Sequence, residues 1–559
     1  MVNEITSDTL IDVDQSFKIH AGPGAGKTHW LSTHIRQILC KSKRIGIIRK
    51  IACISYTNVG AETILDRIPN SSSCVEVATI HSFLYKNIVK PFLRFYADSF
   101  GINLDRMKIV PYEAFMAKGY IMLFLERINE RWIHPDSVIS GLKQCRWVYE
   151  NGEFIHFKPR YPVKAKNVQG KTTKYFVSQV IYDKFVKYQW AQGYISYDDV
   201  IYFSIQLLKR CPYIYNTIVA KYPYFFIDEF QDSIPAIVDF AKHLGNRGCI
   251  IGVVGDKAQT IYDFIGASPA LFDSFIVPYM LEYKIHGNRR SSPQIVSLLN
   301  HIRPDFRQIP INTSNNDVPL LIIGDKLDAY EYALSVCGQV EIQSLAFPNI
   351  IASSMKYNVE GSISNSHLID SDFDSDFLRS LWVKNLIKAV EYAHQNNLSE
   401  AWYYLDILWD DRTMAISCLR KLLDERNKYL KGSLYDFYMF LINHIGIELK
   451  KLRSGNIKNF YMSHLYIDMA LGVKISDCKT THKTIHKSKG EEYDNVMVII
   501  NNPKDIEVLL NPNLNDNPTH RVYYVGMSRA KERLFINVEE MAIDVEEYLT
   551  HLPIKIVRL

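Results

Sequence analysis

Between Ile19 and Thr28 the chain reads Ile-His-Ala-Gly-Pro-Gly-Ala-Gly-Lys-Thr, and about two hundred residues later it reads Phe-Phe-Ile-Asp-Glu-Phe-Gln-Asp-Ser from Phe225. The first segment has the make-up of a phosphate-binding loop. Gly22, Gly24 and Gly26 let backbone N–H groups approach phosphate oxygens, with Ala21 at the loop's first position and Ala25 within it. Lys27 neutralises phosphate charge and Thr28 offers a hydroxyl to Mg²⁺. In the second segment the apolar run Tyr224–Ile227 reads as a buried strand that delivers Asp228 to the metal and Glu229 to the attacking water. A polar turn after a core strand is the plain alternative. Two adjacent carboxylates at the end of a buried strand, however, carry a desolvation cost unless a cation sits there. Together the segments imply hydrolysis of ATP with Mg²⁺.

The elements that must carry these groups are legible around them. Short β-like runs at Phe17–His20, Ile51–Tyr56, Val75–Thr79, Tyr224–Ile227 and Ile250–Val254 alternate with amphipathic stretches, as in an open parallel sheet. Ligands gather at the carboxyl ends of such strands, so Thr57 and Asn58, Thr79 and His81, Asp228 and Glu229, and Gly255 and Asp256 should line one working edge. From Leu84 to Ala191 long mixed helical segments rich in aromatics read as an insertion. A similar change follows the strand-like run Asn349–Ser353: a Ser/Asp-rich linker to Asp376, then a mainly helical stretch to Leu471. Strand-like runs return at Val496–Ile500 and Leu534–Val538.

Composition bounds the surroundings. A chain of 559 residues is too long for one core and implies several domains. A content of 47% hydrophobic and 22% charged residues is that of an ordinary globular protein, and a net charge of +5 permits nucleic-acid binding without demanding it. Nine cysteines with no Cys-x-x-Cys pair argue against zinc or iron–sulfur ligation. The acidic N-terminus has no apolar segment, and no run of about 20 apolar residues could span a bilayer, so a cytoplasmic protein is expected, with no membrane partner.

Seven more segments, in order, carry a resemblance. They are Ile51–Ile68, with Ser-Tyr-Thr-Asn and Ala-Glu-x-x-x-x-Arg; Ala78–Phe83; Gly193–Val200, with Tyr-Asp-Asp; Val254–Tyr262; Asn288–Ser291; Thr484–Tyr493; and Tyr523–Lys531. The chain resembles the UvrD/Rep/PcrA class of superfamily 1 DNA helicases, with these segments similar to its motifs Ia to VI. The resemblance implies an α/β fold of two RecA-like parallel-sheet motor domains, each with a mainly helical accessory insertion. Residues 1–84 and 192–280 would form the first motor around an insertion at 85–191. Residues 281–360 and 475–559 would form the second around an insertion at 361–474.

The resemblance also assigns roles. Gln259 would sense the γ-phosphate, and Arg290 and Arg529 would reach the nucleotide from the second motor as arginine fingers. Gly490 and Glu492 would contact the nucleotide from the same side. Thr57, Asn58, Thr79, His81, Thr484 and His486 would face DNA, and Tyr262 and Phe264 either stack on bases or pack in the core. Departures are also plain. The adenine-reading segment is reduced to Gln15, Arg289 stands where a tyrosine usually stacks on the base, and Phe264 replaces a tryptophan.

Two surfaces invite partners. Lys158, Arg160, Lys164, Lys166, Lys171, Lys174, Lys184 and Lys187 are interleaved with aromatics and read as either a nucleic-acid surface or a solvated basic face. In the second insertion Trp382, Trp402, Tyr403, Tyr404, Trp409, Tyr435 and Tyr438 mark a candidate protein contact. Its size and the short connection between motifs V and VI make the chain similar to the helicase-like subunits of Gabija-type anti-phage systems, which implies a nuclease partner. Two functions fit these features: a DNA-dependent ATPase that translocates on single strands and unwinds duplexes 3′ to 5′, or a nucleotide- and DNA-sensing subunit that controls a partner nuclease.

Overall fold

The computed structural model describes residues 3–559 other than 57, 69–72, 111–114, 117, 131–132, 134, 144, 146, 157–162, 167–171, 176–178, 314–316, 361–367, 372, 410, 453 and 474–479. It divides into two units, Met1–Asn288 and Arg289–Leu559, each built on its own parallel sheet.

In the first unit seven strands form the sheet: β1 (Asn3–Ile5), β2 (Phe17–Ala21), β3 (Ile51–Ser55), β4 (Val75–Thr79), β5 (Tyr224–Ile227), β6 (Ile250–Gly255) and β7 (Leu281–Ile285). Their order is β1-β7-β2-β6-β5-β3-β4. The apolar runs are continuous because both faces are covered. Tyr224 and Phe226 of β5 and Ile51 and Cys53 of β3 enter one core, while Phe225, Ile227, Ala52 and Ile54 enter the other. Helices α1 (Lys27–Lys41), α2 (Asn58–Arg67) and α3 (Ile80–Leu84) follow the carboxyl ends of β2, β3 and β4, and α4 (Tyr197–Arg210) packs beside α3. A capping box of Ser196 and Asp199 starts α4.

Two expectations shift here. β7 pairs with β2 from Leu281↔Phe17 to Ile285↔Ala21, which moves the boundary of the first unit from 280 to Asn288. The residues expected as the first insertion also share one uninterrupted core with a face of this sheet: Leu93, Phe124, Phe185 and Trp190 belong to the same cluster as Ile54, Phe225 and Ile251. Besides helices, this stretch carries two hairpins, Trp147–Glu150 with Glu153–His156 and Val163–Lys166 with Thr172–Tyr175.

The second unit has six parallel strands: β8 (Leu320–Ile323), β9 (Gln343–Ala346), β10 (His482–Thr484), β11 (Tyr493–Ile500), β12 (Ala530–Val538) and β13 (Lys555–Arg558), in the order β10-β9-β11-β12-β8-β13. Asn349–Ser353, expected as a strand, is the start of helix α5 (Asn349–Tyr357). The strand lies just before it at β9. Pro348 precedes the helix, whose Ile350, Ile351, Ala352 and Met355 cover the sheet.

The described part of 361–474 is helical and has a core of its own, including Val383, Leu386, Phe437 and Tyr461. A buried carboxylate ties it to α5. Glu391 accepts from Arg426 Nε and Nη2 at 3.0 and 2.8 Å, from Tyr466 Oη at 2.7 Å and from the Tyr357 hydroxyl. Of the seven rings expected as a contact surface here, only Tyr438 is fully interior and the other six are half-buried. Tyr438 is in the core, and Trp382, Trp402, Tyr404, Trp409 and Tyr435 pack against it, because a small helical body needs large rings to fill its centre.

Candidate functional site

β2 ends at Ala21 and the chain turns through Gly22–Gly26 into α1. Gly24 and Gly26 have φ of 66° and 81°, the left-handed region that side chains resist. A Cβ on Gly26 would also lie 3.2 Å from that of Ser7. The turn places Lys27 and Thr28 in the first turn of α1, whose leading N–H groups have no carbonyl partner within the helix. That is the geometry of an anion site.

β5 delivers the carboxylates. Asp228 N donates to Ile54 O at 2.8 Å, which fixes the strand end against β3. Thr28 Oγ1 then donates to Asp228 Oδ2 at 3.1 Å, and Lys27 Nζ lies 3.8 Å from Glu229 Oε1. The two segments, two hundred residues apart, meet side chain to side chain. Glu229 itself is left-handed, with φ 52° and ψ 43°, a conformation costing on the order of 1–3 kcal/mol for a non-glycine residue. Burial, reinforced by the Glu229 charge and opposed by Lys27 and the Thr28 hydroxyl, pushes the Asp228 carboxyl up to about 6. A carboxylate held that far from its ordinary range, beside a hydroxyl, suits a hard divalent cation. These oxygen donors fit Mg²⁺.

Gln231, a residue that motif reading passed over, links this site to β6. Its Nε2 donates to Glu229 Oε2 at 2.5 Å, and its Oε1 accepts from Asp256 N at 3.0 Å. Asp256 in turn accepts from Ala258 N at 3.1 Å and from Gln259 Nε2 at 2.7 Å. Gln259, also buried, is therefore at the same edge as Glu229, three hydrogen-bonded steps away.

The rest of this edge is a groove. Thr79 and His81 line a cavity of about 460 Å³ together with Tyr56, Ser82, Tyr85, Ile109, Tyr197 and Val200. Thr79 Oγ1 caps α3, accepting from Ser82 N at 3.4 Å and donating to Ser82 Oγ at 3.0 Å. The His81 ring meets Tyr197 edge-on at 5.8 Å, and burial lowers its pKa. Thr57 lies outside the described residues, as does the side chain of Asn58, which opens α2. Tyr262 and Phe264 stand 5.9 Å apart at 70°. Tyr262 is half-buried, whereas Phe264 is 49% exposed and so is no core ring. Of the basic stretch, Lys158, Arg160 and Lys171 lie outside the described residues, and Lys164, Lys166 and Lys174 sit on the hairpin strands with side chains likewise outside.

Gln15 is misplaced for reading a base beside the loop. It precedes β2 whereas the loop follows it, and at about 3.3 Å per residue the strand separates them by roughly 20 Å. Its amide donates to Ser16 O and Tyr279 O, and Ser7 is the residue that abuts Gly26.

Within the second unit, Arg290, Arg529, Gly490 and Glu492 come together. Arg290 Nη2 donates to Glu492 Oε1 at 2.7 Å and its Nη1 to Ser528 O at 2.8 Å. Arg529, only 3% exposed, donates from Nε to Val525 O at 3.1 Å and from Nη2 to Ser528 Oγ at 3.2 Å. Both guanidinium groups thus gather at the C-terminal end of helix α6 (Pro518–Met527), where carbonyls favour cations. Arg290 and the other nearby cations hold the Glu492 carboxyl below its usual range against the effect of burial. Gly490 has φ 90° with open space around it, so its backbone angle and not its size requires glycine. Arg289 is exposed, Thr484 is buried at the end of β10, and His486 lies 5.7 Å from Phe347, half-buried.

A phosphate loop after one parallel strand and a carboxylate pair after another define a nucleotide-hydrolysing motor core. A model of the UvrD/REP helicase N-terminal domain matches residues 2–279, and one of the UvrD-like helicase C-terminal domain matches residues 313–541. The chain is 22% identical to Gabija protein GajB of Bacillus cereus over 88% of this chain and 86% of that protein. It is 23% identical to the ATP-dependent DNA helicase PcrA of Staphylococcus epidermidis (73% of this chain, 54% of that one) and 24% identical to PcrA of Bacillus subtilis (54% and 39%). It spans about half or less of the length of these PcrA helicases. The chain belongs to the UvrD/Rep family of ATP-driven DNA helicases. Among the described residues no helix is long and apolar enough to cross a membrane.

Proposed function

We propose that the protein hydrolyses ATP at the β2/β5 edge and uses the energy to move 3′ to 5′ along single-stranded DNA and part duplexes. The observation that carries this is the meeting of Thr28 with Asp228 and of Lys27 with Glu229. Lys27 and the α1 N-terminus bind phosphate, and Thr28 and Asp228 hold Mg²⁺, which supplies charge neutralisation at the phosphates when bound. Glu229 orients and deprotonates the attacking water, and Gln259 senses the terminal phosphate. Arg290 and Arg529 stabilise the charge that develops during transfer. DNA runs over the Thr79/His81 groove, with Phe264 offering an exposed ring to a base.

Likeness to GajB over most of its length favours a setting in anti-phage defence, in the cytoplasm and beside a nuclease subunit. The same likeness supports a second reading, in which nucleotide and DNA binding switch that nuclease with little unwinding. ATPase rates with and without single-stranded DNA, followed by strand displacement on duplexes with 3′ and 5′ tails, test both. DNA-stimulated turnover with displacement only from the 3′ tail supports the motor. Nucleotide and DNA binding with no displacement from either tail defeats the motor and supports the switch, and no nucleotide binding defeats both.

A further inference from the structure

Gln231 joins the carboxylate end of β5 to the segment leaving β6 through a single side chain. It is 1% exposed, and both ends of its amide are engaged, Nε2 on Glu229 Oε2 and Oε1 on Asp256 N. The fold makes room for it. A Cβ on Gly255 would fall 2.4 Å from Gln231 Oε1, closer than real contacts allow, so glycine at the end of β6 is what lets the amide lie there. With Oε2 held by the amide, the other carboxylate oxygen of Glu229 is the one directed to Lys27, at 3.8 Å. The segment that anchors the far end of the amide runs from Asp256 through Gln259 to Tyr262 and the exposed Phe264.

We propose that Gln231 is a positioning residue for hydrolysis that sets the direction of the Glu229 carboxylate by the position of the Asp256–Phe264 segment. This rests on the reading of Glu229 as the base and of Phe264 as facing DNA, and it adds the part that connects them. A shift of the segment moves the Asp256 N–H, the amide follows it, and the base turns with the amide. Turnover then depends on what the segment binds, while ATP affinity, set by Lys27 and the loop, does not. The left-handed backbone at Glu229 makes the amide more necessary, because a residue strained in its own backbone needs an external hold to keep its side chain on line.

The full-length protein with Gln231→Met keeps the side chain's length and volume and loses both hydrogen bonds. Gln231→Glu keeps the acceptor for Asp256 N and loses the donor to Glu229. Gly255→Ala leaves Gln231 in place but pushes its amide aside. Each should lower kcat about 10²-fold, the cost of a misplaced catalytic group. KM for ATP and the Kd of a fluorescent ATP analogue should stay within about twofold, and stimulation by single-stranded DNA should fall toward none. A purely structural role would move thermal stability and leave the stimulation ratio alone. Gln231→Met or Gly255→Ala with wild-type kcat and stimulation overturns the proposal, and should one variant fail to fold, the others decide. Glu229→Gln is the separating control: if it still hydrolyses ATP the site reading itself falls, whereas an inert Glu229→Gln beside a fully active Gln231→Met sinks only the role of Gln231.

Discussion

The two units prepare their charged groups in opposite ways. In the first, Glu229 is held in a strained backbone and Asp228 is buried beside a second carboxylate, so on the proposed function these groups would gain from a cation and phosphates. In the second, Arg290 and Arg529 already donate hydrogen bonds to Glu492, Ser528 and Val525 within their own unit. Under the proposed function, a phosphate would compete with Glu492, Ser528 and Val525 for the arginines, and at the loop with the longer 3.8 Å pairing of Lys27 to Glu229. The contrast separates binding from turnover. On the proposed function, the first unit supplies the groups that bind nucleotide, and the arginines of the second would add rate by exchanging partners.

The sharpest test of that division removes each side in turn. Lys27→Ala should abolish both nucleotide binding and hydrolysis in equilibrium binding and steady-state assays, since it strips the charge that meets the phosphates. Arg290→Ala and Arg529→Ala should lower kcat by roughly 10³-fold or more with little loss of nucleotide affinity. Loss of affinity in the arginine variants equal to that of Lys27→Ala would erase the distinction. Arg529, being buried, should also lose melting temperature on truncation, and the half-buried Arg290 much less.

Smaller effects sharpen the contrast further. His34, packed between Trp30 and Phe17 in the first unit, is pushed down to about 4 by burial. The folded protein keeps it neutral while the unfolded chain takes a proton below about 6.5, so stability is full above that pH and is lost as pH falls toward 4. That amounts to about 3 kcal/mol. Thermal unfolding followed across this range should show the loss, and His34→Phe should flatten it. The second unit has a counterpart in His482, also pushed down to about 4, so both units share an acid limit that differences in their catalytic groups do not alter. Least of all, Phe264→Ala should weaken single-strand affinity by roughly 1–3 kcal/mol while leaving basal hydrolysis intact. Unchanged affinity in a titration would remove the ring from the DNA surface.

Much of the site was readable because phosphate chemistry constrains residue type at fixed spacing, and much of the first sheet because doubly covered parallel strands are continuous apolar runs. Tyr224–Ile227 and Val75–Thr79 were legible to the residue. Asn349–Ser353 was misread for the same reason in reverse, since a short β-branched run looks alike as strand and as buried helix. Gln15 misled because nearness in sequence to the loop is distance in space once a strand intervenes. Gln231 lay inside the quoted motif, but an amide bridging β5 to β6 is a fact of tertiary structure that spacing does not carry. Nor did sequence reveal that one insertion merges with its motor's core and the other does not.

That last difference bears on how the chain acquires and loses its structure. The helical body around Val383, Phe437 and Tyr461 closes a core within about a hundred consecutive residues, so it can form early and open as one cooperative piece. The stretch from Leu93 to Trp190 has no such independence. Its side chains complete the same interior as Ile54 and Phe225, so it and its sheet must come together, and be lost together, in a single step.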